Sequence, residues 1–495
     1  MGLILAGVVL RVAHYLANRS LWFDEAMLAN NVRARDFVGL AHKLDYQGAP
    51  LGFLYVEKLL CIGWGYHEYA LRLYSLVAGC LALLLMYRMA FRLLRGPGAL
   101  LALGLFAFGG PLIYYSAEAK PYGGDALWAL ALGLLAGEYV EHRNKPLSLG
   151  WLVFAGCLSS WFSFQSAFVL ASIGLALADR YRVRGERQRW PGWCAVMAAW
   201  GANLVLVYLI SIRPIASNPL FKDTHEASYL PFNAGAWDWL AANLVDLVGN
   251  TAGIPYPLFA MVLLGVGMLA LRRPWRIILY LPLLFALFAS GFKAFVFVKR
   301  LLLFLVPAIC LGVGAGSERV ASWCGDRRPV ARWLWLVGLP VFWFPPARAA
   351  WDELRHPTMG EDIKPVLAYL NAHRRPQDRV FIYDGAVPAY TWYASNDANV
   401  VMGHWSADPQ EYLAPFKAWK GEPRVWALFT HPWNLPPADE EINVVHHTAR
   451  LQPYRKSHPV VTNGESFIVS NLSGMARLDD VYRADGASVY LFDLR

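Results

Sequence analysis

Charge is scarce in this 495-residue chain: Asp, Glu, Lys and Arg make up 16% of it, against 57% apolar residues. That balance excludes an ordinary soluble globule, where about a quarter of the residues are charged. Cysteine is thin as well. The six (Cys61, Cys80, Cys157, Cys194, Cys310 and Cys324) show no CxxC spacing, and none lies in the polar last third. A thiolate metal cluster and a disulfide framework are thereby excluded. Nor does the net charge point to nucleic acid. The net charge of +9 comes largely from Arg and Lys in short loops between apolar runs, a pattern of membrane topology rather than of nucleic-acid binding. The opening run, Leu3 to Leu16, has no basic leader and no small-residue cleavage site, so it reads as a retained helix.

Apolar runs are what the chain has in abundance, each near the roughly 20 residues that cross a bilayer. They fall at 2–17, 69–87, 98–115, 122–140, 147–162, 165–179, 192–211, 255–271, 275–291, 300–316 and 331–346, about eleven helices. The expected fold class is therefore a polytopic α-helical membrane protein with a small C-terminal soluble α/β domain, divided at 1–346 and 347–495. Alternate loops carry Arg88, Arg92 and Arg95; Arg143 and Lys145; Arg180, Arg182, Arg184, Arg187 and Arg189; Arg272, Arg273 and Arg276; and Arg319, Arg327, Arg328 and Arg332. Those clusters mark the cytoplasmic face. The odd number of helices then puts the C-terminal region outside.

Two long outer segments, 18–68 and 212–254, exceed what a connector needs. In the first, Ala26, Leu28, Ala29 and Val32 are spaced like one helix face; Leu51, Leu54, Tyr55 and Leu59 repeat that spacing after Gly48-Ala49-Pro50. Two helices lying along the membrane surface, as a roof, satisfy the pattern. The second segment has a Pro-rich start and an amphipathic stretch from Trp237 to Leu247, and reads as a mobile cover for a substrate.

Charges on the outer side need a reason, because an ion that strays into a bilayer costs roughly 2.5–3.5 kcal/mol at its centre. Asp24 and Glu25 follow Trp22 and Phe23 where the chain leaves the first helix. They either cap a surface helix or do chemistry. Glu118 and Lys120 flank a tight turn before Pro121 and Tyr122, as a local ion pair or as part of a site. Lys293, Lys299 and Arg300 stand at the mouth of a helix against the positive-inside bias. They either snorkel or bind an anionic headgroup, Arg300 being suited to bidentate phosphate binding. Arg72 can join them, whereas Arg11, inside the first helix, is expected to pair within the bundle. Acids and bases beside lipid suit a reaction on a lipid-linked phosphate: a cation holds the departing phosphate and a carboxylate deprotonates an incoming hydroxyl.

Three of these stretches also carry a family resemblance. Arg11…Ser20-Leu-Trp-Phe-Asp24-Glu25-Ala, Gly48-Ala-Pro50-Leu…Arg72-Leu and Tyr114-Tyr-Ser-Ala-Glu118-Ala-Lys120-Pro-Tyr122 resemble bacterial membrane glycosyltransferases of the GT-C superfamily. The likeness is strongest to glycosyltransferase family 39, which includes protein O-mannosyltransferases and the lipid A aminoarabinose transferase, and covers about residues 1–316. It implies a polyprenyl-phosphate-linked sugar donor and inverting transfer to an acceptor hydroxyl, with no cofactor and no obligatory metal. Asp24 matches the essential carboxylate of the first outer loop, with Glu25 beside it. Glu118 and Lys120 match the acidic–basic motif of the second. Lys120 departs from relatives that carry Arg, keeping the charge without the fork. Gln47-Gly48-Ala49-Pro50 departs from relatives with a charged or paired-proline sequence.

The resulting assignment has Asp24 and Glu25 as catalytic carboxylates. Lys120, Arg300, Lys299 and Arg72 bind the donor phosphate, and Glu118, Tyr122, Trp22 and Gln47 contact substrate. Expected partners are the polyprenyl-phosphate sugar and an acceptor protein, lipid or glycan on the outer face of a bacterial inner membrane. The alternatives are a flippase for lipid-linked sugars and a surface-glycan ligase or polymerase. A transporter favours paired repeats with broken helices and charges near the midplane; no internal repeat is visible here.

In the tail, a helix over Glu361–Arg374 and a strand over Asp378–Asp384 are expected, then a helix over Val387–Ala394. Further strands are expected at Arg424–Thr430, Ser466–Val469 and Ser488–Phe492. Asp384, His404, His431, His446 and His447 fit no metal-ligand spacing.

Overall fold

The structure is a computed structural model that describes residues 1–141, 146–216, 226–325, 329–394, 398–406, 408–432 and 463–495. His446 and His447, and the start of the proposed cover at 217–225, lie outside the described residues. The chain forms two compact units. A helical unit comprises Met1–Ala17, Gly48–Pro214 and Ala227–Pro357, and a mixed unit comprises Asn18–Gln47, Ile215–Glu226 and Thr358–Arg495. Residues 18–47 thus group with the C-terminal residues and not with the apolar helices that flank them in sequence.

In the helical unit the apolar runs fall on helices, from Gly2–Leu16 to Pro329–Arg355, the run 98–115 on two of them. Among the described residues four are long and apolar enough to cross a bilayer: Glu68–Leu93, Arg187–Ile215, Arg273–Gly291 and Lys299–Trp323. The bent pair Pro97–Phe108 and Gly110–Ala117 makes a fifth, with three shorter apolar helices beside them. This is a multi-pass membrane protein. The run 98–115, expected as one helix, bends by 53° at Gly109-Gly110-Pro111, where proline supplies no N–H to carry the ladder through. Residues Lys299–Leu305 are wound as a 3₁₀ helix before Val306–Gly325, since Pro307 cannot donate to the preceding turn.

Ion pairs link loops that share an end of the bundle. Arg273 pairs with Asp179 at 2.8 Å and Arg92 with Glu138 at 3.2 Å, joining loops assigned to the basic face. At the other end, Lys299 pairs with Asp246 at 3.2 Å, and Phe297 N–H donates to the Ser228 carbonyl at 3.1 Å. The amphipathic stretch forms the helix Ala236–Asp246. Arg11 is buried and donates to the carbonyls of Gly7, Phe106 and Ala107. It therefore pairs inside the bundle, as expected.

Helices Pro257–Ala270 and Val306–Gly325 cross at glycines. A Cβ on Gly267 would strike the Gly312 carbonyl, and one on Gly316 the Leu263 carbonyl. Two backbones approach this closely only when no side chain intervenes. Gly316→Leu is expected to destabilise the unit by about 3 kcal/mol or more through overpacking, visible as a lower melting temperature in detergent. An unchanged melting curve would show that the crossing tolerates a side chain.

Of the two expected surface helices, the first is Phe23–Ala34, burying Ala26, Leu28, Ala29 and Val32 as the spacing requires. The second is Leu51–Trp64, which buries Leu51, Phe53, Leu54, Glu57, Lys58 and Cys61. Leu59, expected inside, is exposed with Ile62. The helix is rotated so that its charged pair faces inward.

The mixed unit contains a five-stranded sheet in the order β2-β1-β3-β5-β4. Its strands are β1 Arg379–Ile382, β2 Val400–Met402, β3 Val425–Thr430, β4 Arg477–Ala484 and β5 Ala487–Asp493. β1 runs parallel to β2 and β3, whereas β5 is antiparallel to β3 and β4. β3 and β5 are buried along their length and are largely apolar. Helix Ile363–His373 buries Ile363, Val366, Leu367 and Leu370. Ser466–Val469, expected as a strand, lies in the helix Gly464–Ser473, whose N-cap Asn463 accepts from Ser466 N–H. Ile468 and Leu472, four apart, are its buried stripe. β4 escaped the sequence reading because it is a mostly exposed, polar edge strand.

Candidate active site

The assigned residues divide between the units: Trp22, Asp24, Glu25 and Gln47 belong to the mixed unit, and Arg72, Glu118, Lys120, Tyr122, Lys299 and Arg300 to the helical unit.

In the mixed unit, Asp24 and Glu25 occupy the first turn of helix Phe23–Ala34. Unpaired backbone N–H groups and the positive end of the helix dipole favour carboxylates there. Glu25 is buried and Asp24 half-buried. Gln47, at the far end of the same segment, donates through Nε2 to Asp24 Oδ1 at 3.3 Å, so the structure brings these two together. Trp22 is the N-cap residue and supplies no side-chain cap. The segment is held to the C-terminal residues at several points. Ser20 Oγ donates to Asp362 Oδ1, Tyr393 accepts from Leu21 N–H at 2.9 Å, and Arg33 donates to the Trp392 carbonyl at 3.0 Å and lies 4.7 Å over its ring.

In the helical unit, Glu118, Lys120 and Arg72 are 1%, 3% and 2% exposed. These are not solvated surface charges, so the exposed-turn reading of Glu118 and Lys120 does not apply. Lys120 N–H donates to the Glu118 carbonyl at 2.8 Å, and Ser75 Oγ donates to the Lys120 carbonyl at 2.9 Å. Ser75 thereby fixes the turn to the helix that carries Arg72. Arg300 lies 5.9 Å over the ring of Tyr122, and Tyr122 packs edge-on against Tyr115 at 5.4 Å. One neighbourhood therefore holds Tyr122 and Arg300, one turn from Lys120. Lys299 is exposed and paired with Asp246.

Two further groups escaped the sequence reading. Lys58, buried on helix Leu51–Trp64, donates to the Tyr66 hydroxyl at 2.9 Å. Asp125 is fully enclosed on helix Tyr122–Glu141, with Ser163 as its polar neighbour. Phe162, next to Ser163, packs on both Tyr74 and Trp128. An aspartate within an apolar run was the available signal. Among the described residues no group of three or more His, Cys, Asp or Glu side chains is placed to hold a metal ion.

No family model matches the sequence, and no curated protein does. Solved structures do match. ArnT from Cupriavidus metallidurans in the apo state aligns with a TM-score of 0.55 at 15% identity, covering 99% of this chain and 97% of that one. ArnT from the same organism bound to undecaprenyl phosphate aligns with a TM-score of 0.54 at 14% identity over the same shares. The likeness runs through both units and shows that the fold is ArnT-like.

Proposed function

Starting from an ArnT-type fold, we propose that this chain is an inverting membrane glycosyltransferase. It moves a sugar from a polyprenyl-phosphate donor to an acceptor hydroxyl on the outer face of a bacterial inner membrane, the C-terminal domain being periplasmic. The observation that carries the reading is the burial of Arg72, Glu118 and Lys120 together in a membrane bundle. Such charges are costly there and mark functional sites by default. The undecaprenyl phosphate bound by ArnT has the matching chemistry, an anionic headgroup on a hydrocarbon tail.

In the reaction, the acceptor oxygen attacks the anomeric carbon from the face opposite the phosphate. The bond from that carbon to the phosphate oxygen breaks, and polyprenyl phosphate departs with the electron pair. Asp24, with Glu25 beside it, takes the proton of the attacking hydroxyl. Arg300, Lys120 and Arg72 stabilise the charge that builds on the leaving phosphate; Lys299 contributes at the rim. Glu118, Tyr122, Trp22 and Gln47 contact the sugar. The chemistry calls for no cofactor and no obligatory metal.

Purified protein given synthetic undecaprenyl-phosphate mannose or undecaprenyl-phosphate aminoarabinose, with cell-envelope extract, is expected to release undecaprenyl phosphate and label an envelope acceptor. Lipid moved across vesicles without cleavage would replace this reading with that of a transporter. Arg300→Ala is expected to lower kcat/KM for the donor by roughly 10–100-fold, the equivalent of about 1.5–3 kcal/mol of charge-assisted hydrogen bonding. Arg300→Lys should recover part of that loss.

A further inference from the structure

The helix that carries Asp24 lacks a local cap, and a residue 338 positions away replaces it. Phe23 N–H, one of the donors that a helix start leaves unpaired, donates to Glu361 Oε2 at 2.8 Å. The other oxygen of the same carboxylate, Oε1, is hydrogen-bonded to Nδ1 of His431. The His431 ring in turn stacks on Phe23, with centroids 4.7 Å apart and planes 13° from parallel, and Trp22 packs beside it at 6.5 Å. His431 follows the end of β3 with φ of 48°, a left-handed conformation that costs a non-glycine residue about 1–3 kcal/mol unless its surroundings hold it. All four residues lie in the mixed unit.

Each contact removes one freedom of the helix start. The Glu361 carboxylate fixes the axial position of the first turn, and the His431 ring blocks rotation of Phe23. Ser20 Oγ on Asp362 and Leu21 N–H on Tyr393 tether the approach. Asp24 follows Phe23 directly, so its backbone has little play.

We propose that Glu361 and His431 are positioning residues for the Asp24–Glu25 pair: the C-terminal domain acts as the cap and side wall of the catalytic helix. This rests on the reading of Asp24 as the base. A reacting group displaced by about 1 Å can cost 10²-fold in rate, so the clamp acts on kcat and spares donor binding.

The test compares Glu361→Ala, Glu361→Gln and His431→Ala in the full-length protein. Release of undecaprenyl phosphate from undecaprenyl-phosphate mannose or aminoarabinose is measured alongside amide hydrogen exchange over residues 21–28. Glu361→Ala is expected to lower kcat by about 10–100-fold with donor KM within about twofold, and to speed exchange at Phe23 while Glu68–Leu93 is unaffected. Glu361→Gln should restore most of both, because its oxygen still accepts from Phe23 N–H and its amide can donate to the neutral His431 tautomer. His431→Ala should give an intermediate loss. Wild-type kcat and unchanged exchange at Phe23 in Glu361→Ala would overturn the clamp, as would a kcat loss that Glu361→Gln does not recover. If instead the wild-type protein cleaves neither donor, the proposed activity fails, while the exchange data still report whether Glu361 caps the helix.

Discussion

Asp24→Asn is expected to cut transfer by roughly 10²–10⁴-fold, the usual worth of a general base, and to leave the fold and lipid binding intact. Asparagine is isosteric and its Oδ1 can still accept the bond from Gln47, which spans 3.3 Å in the native protein. The change removes the basicity of the side chain and keeps its size. Release of undecaprenyl phosphate should fall while retention of added undecaprenyl phosphate and the melting temperature hold. Full turnover in this variant would mean that the proton leaves by another route, and the proposed mechanism would have to be abandoned. Glu25 is buried one residue further into the helix. Glu25→Gln run in parallel separates a direct role from the field effect of a neighbouring charge.

The second large effect is on stability. Asp378 is fully enclosed and accepts from Arg424 Nε at 3.0 Å, Trp426 Nε1 at 2.9 Å and Arg375 N–H at 3.0 Å. Asp378→Ala leaves three donors facing an empty site, one of them charged. Removing one partner of a buried pair costs 3–5 kcal/mol; because Arg424 is 20% exposed and keeps the His373 carbonyl at 2.9 Å, about 3 kcal/mol is expected. Amide hydrogen exchange along β3, which carries Trp426, should report a melting transition of this unit several degrees lower. Asn30 and Arg33 dock the Asp24 helix onto Pro388, Thr391 and Trp392 of the same unit. Transfer should therefore fail at the temperature where this unit melts. Loss of transfer without any shift in the transition reported by exchange along β3 would refute that linkage.

The sequence by itself determined the helices. The apolar runs are helical, with 98–115 broken into two helices, because a backbone placed in lipid must satisfy its own hydrogen bonds. It also marked Arg11 as a charge inside the bundle, since an ion in an apolar run is conspicuous without coordinates, whereas it singled out Arg72, Glu118 and Lys120 without showing that they are buried. The tail was legible where strands are buried, as in β3 and β5. It was not legible in the helix Gly464–Ser473, where the short contiguous apolar stretch Phe467–Val469 looked like a strand, although Asn463 caps a helix there.

Tertiary structure alone decided which unit the Asp24 segment joins. Nothing in residues 18–47 names Glu361, Asp362, Tyr393 or His431 as partners, because capping by a distant carboxylate leaves no local pattern; the signal lies in the missing cap at Trp22 and in a fold that closes a gap of more than three hundred residues. The inward turn of Glu57 and Lys58, and the enclosure of Asp125, were decided in the same way. A periodicity gives the stripe along a helix, but only packing against neighbours selects the angle at which that stripe is buried.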